Sequence, residues 1–204
     1  PYAKRRVVMG TLLQTRVRSL ITKQRARKVK GLENWITPVG VKFVQEEIES
    51  VLSGRGISSL EQYQETNRSG RSIALGSNQR AVIWGVYQEL LVELERGNQC
   101  LLNQRFEIPA DLEPEFDFVF IDEAQNLSPV AIRYCLALAK NPQNVVLATD
   151  PNQTIYGQRT SWSSVAKQLN FRGKTEILRR NFRTTHEIWD AIRPIMKVVS
   201  GDDK

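Results

Sequence analysis

Phe116-Asp117-Phe118-Val119-Phe120-Ile121-Asp122-Glu123-Ala124-Gln125 is the stretch on which the reading of this 204-residue chain turns. Residues 116–121 form a short, nearly continuous apolar run of the kind found in strands buried on both faces. The run ends abruptly in two acids. In an open parallel sheet, ligands bind beyond the carboxyl ends of the strands, and Asp122 and Glu123 stand at that position. A strand-terminal carboxylate can hold Mg²⁺ directly or through water, and its neighbour can polarise a water for attack on a phosphate. A solvated loop that happens to begin Asp-Glu is the plainer alternative.

Working downstream, Pro129 stands where helices begin, with Val130, Ile132, Cys135, Leu136 and Leu138 filling a helix that stops at Lys140-Asn141-Pro142. Asn144 to Thr149 reads as a second buried strand, again ending in an acid, Asp150. A helix around Ser163–Leu169 leads to a third strand, Thr175–Arg179. Thr184-Thr185-His186-Glu187 then has the form of a capping box opening a last helix, Ile188–Val199, kinked at Pro194. Strand alternating with helix predicts an α/β fold with a parallel sheet.

Upstream the texture is helical. Val8, Leu12, Leu13, Val17, Leu20 and Ile21 recur at helical spacing, entered from a short strand at Arg6–Met9. Gly31–Gly40 is a poorer stretch in which Pro38 and Gly40 act as breakers. A second helical period covers Val41–Leu52, and a loop runs from Thr66 to Ser77. The strongest helix is Asn78–Arg96, with Ile83, Val86, Tyr87, Leu90, Leu91 and Leu94 on one face and Gly97 as its stop. Trp35 and Trp84 read as core residues.

With 41% hydrophobic and 25% charged residues the composition excludes a disordered chain. No run approaches the roughly 18 apolar residues of a membrane span, and no secretory leader is visible, so an intracellular, cytoplasmic protein is expected. Cys100 and Cys135 match no metal or redox spacing. Charge is more specific. Residues 1–30 hold ten Lys or Arg and no acid, whereas the whole chain is only +7. Such a block suits a phosphate backbone through counterion release, or is a solvated helix face.

Residues 118–125 (FVFIDEAQ), 149–156 (TDPNQTIY) and 178–185 (LRRNFRTT), in this order and spacing, resemble the Walker B box, motif III and motif IV of superfamily 1 helicases of the UvrD/Rep type. The resemblance covers residues 116–190; the first 115 match only in helical character. It implies a RecA-like parallel sheet flanked by helices, of the P-loop NTPase type but incomplete, with a mostly helical insert. The division it suggests is a basic segment at 1–30, an insert resembling subdomain 1B at 31–110, motor domain 1A at 111–185, and a helix at 186–204 leading to a second motor domain.

Matched residue by residue, Asp122 looks like the Mg²⁺-binding acid and Glu123 like the general base. Gln125 and Gln153 match polar residues that sense the γ-phosphate of ATP. Arg183 matches the arginine that reaches that phosphate, where a fixed guanidinium stabilises developing charge. Phe182 stands where the family usually has a Tyr on the adenine. Tyr156 and Arg159 match positions that touch single-stranded DNA. The usual nearby aromatic is replaced by Gln158, and Trp162 either supplies that stacking or belongs to the core. Arg16 and Arg18 of the basic block are further DNA candidates, and Val7–Thr11 resembles the family's DNA-contacting strand and turn.

The expected partners are therefore single-stranded or partly duplex DNA and the remainder of the helicase chain, with ATP and Mg²⁺ as cofactors and no membrane. A start at Pro1 rather than Met fits a fragment. The sole Gly-Lys-Thr, at residues 173–175, lacks the first P-loop glycine, a place taken by Gln168, and it follows Walker B in the chain. His186 reads as a surface residue, since no second His or Cys cluster could share a metal. The rivals to a helicase motor are a non-catalytic DNA-binding or interaction module and an ATPase component of a repair or defence complex.

Overall fold

The computed structural model describes residues 2, 4–26, 38–68, 73–150, 165, 175–178, 185–188 and 190–191. The described residues combine helices with two small parallel sheets, an arrangement compatible with an α/β class. They build two apolar cores.

The first core belongs to the helical part. β1 (Arg6–Val7) runs into α1 (Gly10–Ala26), which buries Leu13, Val17, Leu20 and Ile21, one residue per helical turn or nearly so. α2 (Pro38–Glu47), α3 (Leu60–Glu65) and α4 (Ser77–Arg96) complete the bundle. α4 presents Val82, Ile83, Val86, Tyr87, Leu90 and Leu94 to it, and burying each such side chain is worth about 1.5–3 kcal/mol. Trp84 is half-buried against this core, tilted 5.6 Å from the Tyr87 ring. β2 (Gln99–Cys100) returns to pair in parallel with β1, Arg6 opposite Gln99 and Val7 opposite Cys100. α1 is thereby tied to the end of α4 some ninety residues away in sequence.

Local chemistry sets the element ends. Ser59 Oγ accepts the Gln62 N–H at the start of α3, and the Gln79 side chain accepts the Gly76 N–H at the start of α4. The left-handed residue after α4 is Asn98 (φ 52°), not Gly97. Asn tolerates that region because its short polar side chain bonds locally.

A buried polar cluster sits inside the helical core. Arg68 grips Glu47 with Nε at 2.5 Å and a terminal nitrogen at 2.8 Å, while its other terminal nitrogen donates to the Ile73 carbonyl at 2.7 Å. Tyr63 donates its hydroxyl to the same carboxylate at 2.9 Å. Arg80 stacks 5.4 Å from the Tyr63 ring and donates to the carbonyls of Tyr63, Gln64 and Thr66. These contacts anchor both ends of the loop between α3 and α4. Burial is the leading cause holding the Tyr63 phenol far above its ordinary value, with Glu47 next.

The second core lies under β3 (Val119–Ile121), α5 (Pro129–Ala137) and β4 (Val145–Leu147). β3 and β4 are parallel, with Val119, Phe120 and Ile121 opposite Val145, Val146 and Leu147. Ser128 caps α5 by accepting the Ala131 N–H at 3.3 Å, and Pro129 follows at the first helical position.

Several sequence expectations require correction. The 116–121 run is a three-residue strand covered on one face. Ile121 points into the core, whereas Phe116, Phe118 and Phe120 are 48, 62 and 74% exposed, because α5 covers one side of the sheet and no described element covers the other. Pro38 and Gly40 do not break a helix; they lie in the opening turn of α2, where proline's missing N–H costs nothing. The Val41–Leu52 helix changes at Ile48 to a π-helix, Ile48–Ser53. Thr175–Leu178 of the expected third strand is not in a strand, and Leu178 is 95% exposed. A strand exists only through a partner's backbone, which local apolar character cannot supply. Most of the Ser163–Leu169 helix, Trp35, and the 192–199 part of the last helix lie outside the described residues; Val165 and His186–Ile188 are helical.

Candidate functional site at the strand ends

The parallel pairing of β3 and β4 brings the two acidic strand ends side by side. Ala148 N donates to Ile121 O at 2.8 Å and Ala124 N to Ala148 O at 2.9 Å, which continues the backbone pairing past both strand ends. Asp122 and Glu123 follow β3 directly, and both are exposed. Asp122 folds back on the chain, its Oδ1 accepting the Glu123 N–H at 2.9 Å. Glu123 has left-handed backbone geometry (φ 49°, ψ 39°). For a residue with a Cβ this conformation costs about 1–3 kcal/mol, and such strain concentrates at working sites.

Gln125 ties the two ends together. Its amide nitrogen donates to Glu123 Oε2 at 2.5 Å and its amide oxygen accepts the Asp150 N–H at 3.1 Å. One planar group thus spans the carboxylate after β3 and the backbone after β4, a task that needs a donor and an acceptor on a single neutral side chain.

The donors gathered here are all carboxylate oxygens, which suit a hard cation. Among the described residues no group of three or more His, Cys, Asp or Glu could enclose a metal ion. That set fits Mg²⁺ in its usual manner, held by one or two carboxylates with phosphate and water oxygens completing the shell, and does not fit a dedicated cage.

Of the residues singled out from sequence, Asp122, Glu123 and Gln125 are brought together. Gln153, Tyr156, Arg159, Trp162, Phe182 and Arg183 lie outside the described residues. The basic block divides. Arg16 is half-buried and donates to the Gln99 side chain at 2.6 Å; Lys23 pairs with Glu93 at 2.8 Å, and Arg5 with Glu95 at 3.2 Å. Arg16 and Lys23 hold α1 to the α4–β2 region and Arg5 holds the segment before β1 to α4, so ten charges overstate what residues 1–30 offer to a polyanion. Arg18 and Arg25 on α1 stay exposed. His186 is exposed as expected, with Nδ1 3.0 Å from Asp190 one turn on. Among the described residues no helix is long and apolar enough to cross a membrane.

Sequence reasoning missed Arg133, which joins the two cores, and the Glu47–Arg68–Tyr63 cluster. Neither leaves a periodic trace, because each pairs residues from separate segments. The one available signal was an Arg in the middle of the otherwise apolar α5.

The family model for the UvrD/REP helicase N-terminal domain matches residues 13–171. With most of the chain covered and the acidic strand end inside the match, the chain belongs to the UvrD/REP helicase family. It is also similar to a protein of Bacillus subtilis (strain 168) named "Putative ATP-dependent DNA helicase YjcD", at 31% identity over 100 residues. That alignment takes in 48% of this chain and 13% of the relative, so the chain spans a small part of the relative's length. No solved structure matches.

Proposed function

We propose that this chain is part of the motor of an ATP-dependent DNA helicase, which couples ATP hydrolysis to movement along single-stranded DNA. In this reading residues 111–185 form a RecA-like domain 1A, with Asp122 and Glu123 at the carboxyl edge of its sheet. The helical part corresponds to subdomain 1B at 31–110, and the helix of the basic segment 1–30 shares its core. Residues 186–204 lead towards a second motor domain.

The observation that carries the reading is the Glu123–Gln125–Asp150 bridge across two parallel strand ends. Bound Mg²⁺ would neutralise charge on the phosphate oxygens of ATP, with Asp122 as its protein ligand. Glu123, exposed at the strand end, accepts the proton of the attacking water. Gln125 orients that carboxylate and registers the position of β4. Gln153 and Arg183 are assigned to the γ-phosphate and Phe182 to the adenine. Tyr156, Arg159 and Trp162 are assigned to DNA, with Arg18 and, secondarily, Arg16 on the backbone.

The test is Glu123→Gln in the full-length protein. Gln is nearly isosteric but accepts no proton, so hydrolysis should fall about 10²–10⁴-fold while ATP still binds. Turnover at the wild-type rate would remove Glu123 from the role of base.

A further inference from the structure

Among the described residues the two cores meet at a tightly built joint. The π-helix that follows α2 is closed by Gly54-Arg55-Gly56, a turn fastened by Gly56 N to Ser53 O at 3.1 Å and Ile57 N to Leu52 O at 2.8 Å. This turn sits on the opening turns of α5. Gly56 is left-handed (φ +71°), and a Cβ there would lie 2.9 Å from Val130 Cγ1 and 3.1 Å from a terminal nitrogen of Arg133. Only glycine permits both the conformation and the approach.

Arg133 uses that approach. One terminal nitrogen donates to the Arg55 carbonyl at 2.6 Å, and the other donates to the Val165 carbonyl at 3.3 Å. Beside it, the Tyr134 ring stands edge-on to Phe106, 6.1 Å between centroids. Burial lowers the Arg133 guanidinium from its ordinary value, as expected of a cation shielded between two packed units.

The mechanical path from the joint is short. Ala131 and Ile132 are 1% exposed, and Ile132 and Leu136 hold α5 in the core beneath β3. The α5 cap, Ser128, lies three residues after Gln125. On the other side the turn continues the π-helix, a rare geometry that recurs at functional sites, and it carries a buried Ser53 hydroxyl with no hydrogen-bond partner.

We infer that Arg133, seated against Gly56, is a positioning residue that transmits displacement of the helical part through α5 to the Asp122–Gln125 loop. The inference rests on the reading of that loop as the hydrolytic site. An arginine is suited to the task because its planar fork serves two carbonyls from different segments at fixed geometry. A lysine keeps the charge but offers a single point on a flexible stem.

The experiment compares wild type, Arg133→Lys and Gly56→Ala in the full-length protein, measuring kcat and KM for ATP with and without saturating oligodeoxythymidylate. The DNA-induced rise in kcat should fall about tenfold in both variants, within the usual range of coupling between sites, while kcat without DNA and KM for ATP stay within about twofold. Because the two residues act through one contact, the double variant should lose little more than either single one. Arg133→Lys adds no bulk to the joint and decides the matter if Gly56→Ala fails to fold. A full DNA response in folded Arg133→Lys, or a wild type with none, overturns the inference. The two readings fail separately. If Glu123→Gln hydrolyses ATP normally, the assignment of the base falls. The joint is then judged by amide exchange: DNA should alter exchange over residues 119–137 in wild type and leave it unaltered in Arg133→Lys, and an equal change in both refutes the joint.

Discussion

Replacing Arg68 by Met should destabilise the helical part by about 3–5 kcal/mol, the usual cost of leaving a buried charge without its partner. The structure explains why the cost is high. The Glu47 side chain is fully buried and that of Arg68 is 5% exposed, so neither recovers hydration when the other is removed. Met keeps much of the length but strips two bonds from Glu47 and one from the Ile73 carbonyl. Tyr63→Phe is the internal comparison. It removes one hydroxyl from a carboxylate that keeps the guanidinium, and should cost about 1.5 kcal/mol, the low end for a hydrogen bond to a charged group. Urea titration followed by far-ultraviolet circular dichroism reads both, since α1–α4 hold most of the helix among the described residues. In a thermal scan the Arg68→Met shift should be roughly 6–20 °C, from about 2–4 °C per kcal/mol for a chain of this size. Adding Glu47→Leu to Arg68→Met should recover about 2 kcal/mol, because the orphaned charge goes with its partner. If Arg68→Met costs no more than Tyr63→Phe, the pair is hydrated and the reasoning fails.

Burial is the main cause holding the Glu49 carboxyl above the usual range; a hydrogen bond from Gln45 opposes it and the neighbouring Glu46 adds to it. A raised carboxyl favours folding below its unfolded value, and that contribution is lost as pH climbs through the raised one. Glu49→Gln should therefore stabilise the protein at neutral pH, with the gain disappearing on acidification; a gain independent of pH contradicts the shift. For DNA binding, changing Arg18 and Arg25 to Ala should flatten the plot of log K against log salt by about 1.4, two phosphates at about 0.7 each on a single strand. Arg16→Ala and Lys23→Ala should chiefly lower thermal stability, and an equal flattening from them would mean that their pairings open on binding. Packing gives a last contrast: Leu90→Ala, fully buried, should cost about 2–5 kcal/mol by urea titration, whereas Phe120→Thr, on the sheet face that no described element covers, should change stability by about 0.5 kcal/mol or less.

α1 and α4 were legible because a helical period repeats over four or five turns and every repeat reinforces the reading. The Asp122-Glu123 end of β3 was legible for a different reason, since an apolar run that breaks off at two adjacent charges marks a strand end. The exposure of Phe118 and Phe120 was not legible. An apolar residue reports that burial is favourable, while the neighbour that would bury it is a matter of the whole fold. Thr175–Leu178 fails for the same reason, having the composition of a strand without a described partner.

The sequence by itself determined what is local: which segments wind into helices, where a parallel strand must end, which carboxylates stand at that end, and which family those residues match. Tertiary structure alone decided what is paired. Gln125 reaches from Glu123 to the Asp150 backbone because β3 and β4 align in one register. Arg16 and Lys23 turn from free charges into struts because α1 lies along α4. Arg133 meets the Arg55 carbonyl across 78 positions because Gly56 lets two cores close to contact distance. Periodicity and capping act over a few residues, whereas each of these contacts forms only when distant segments have been placed by burial of the two cores.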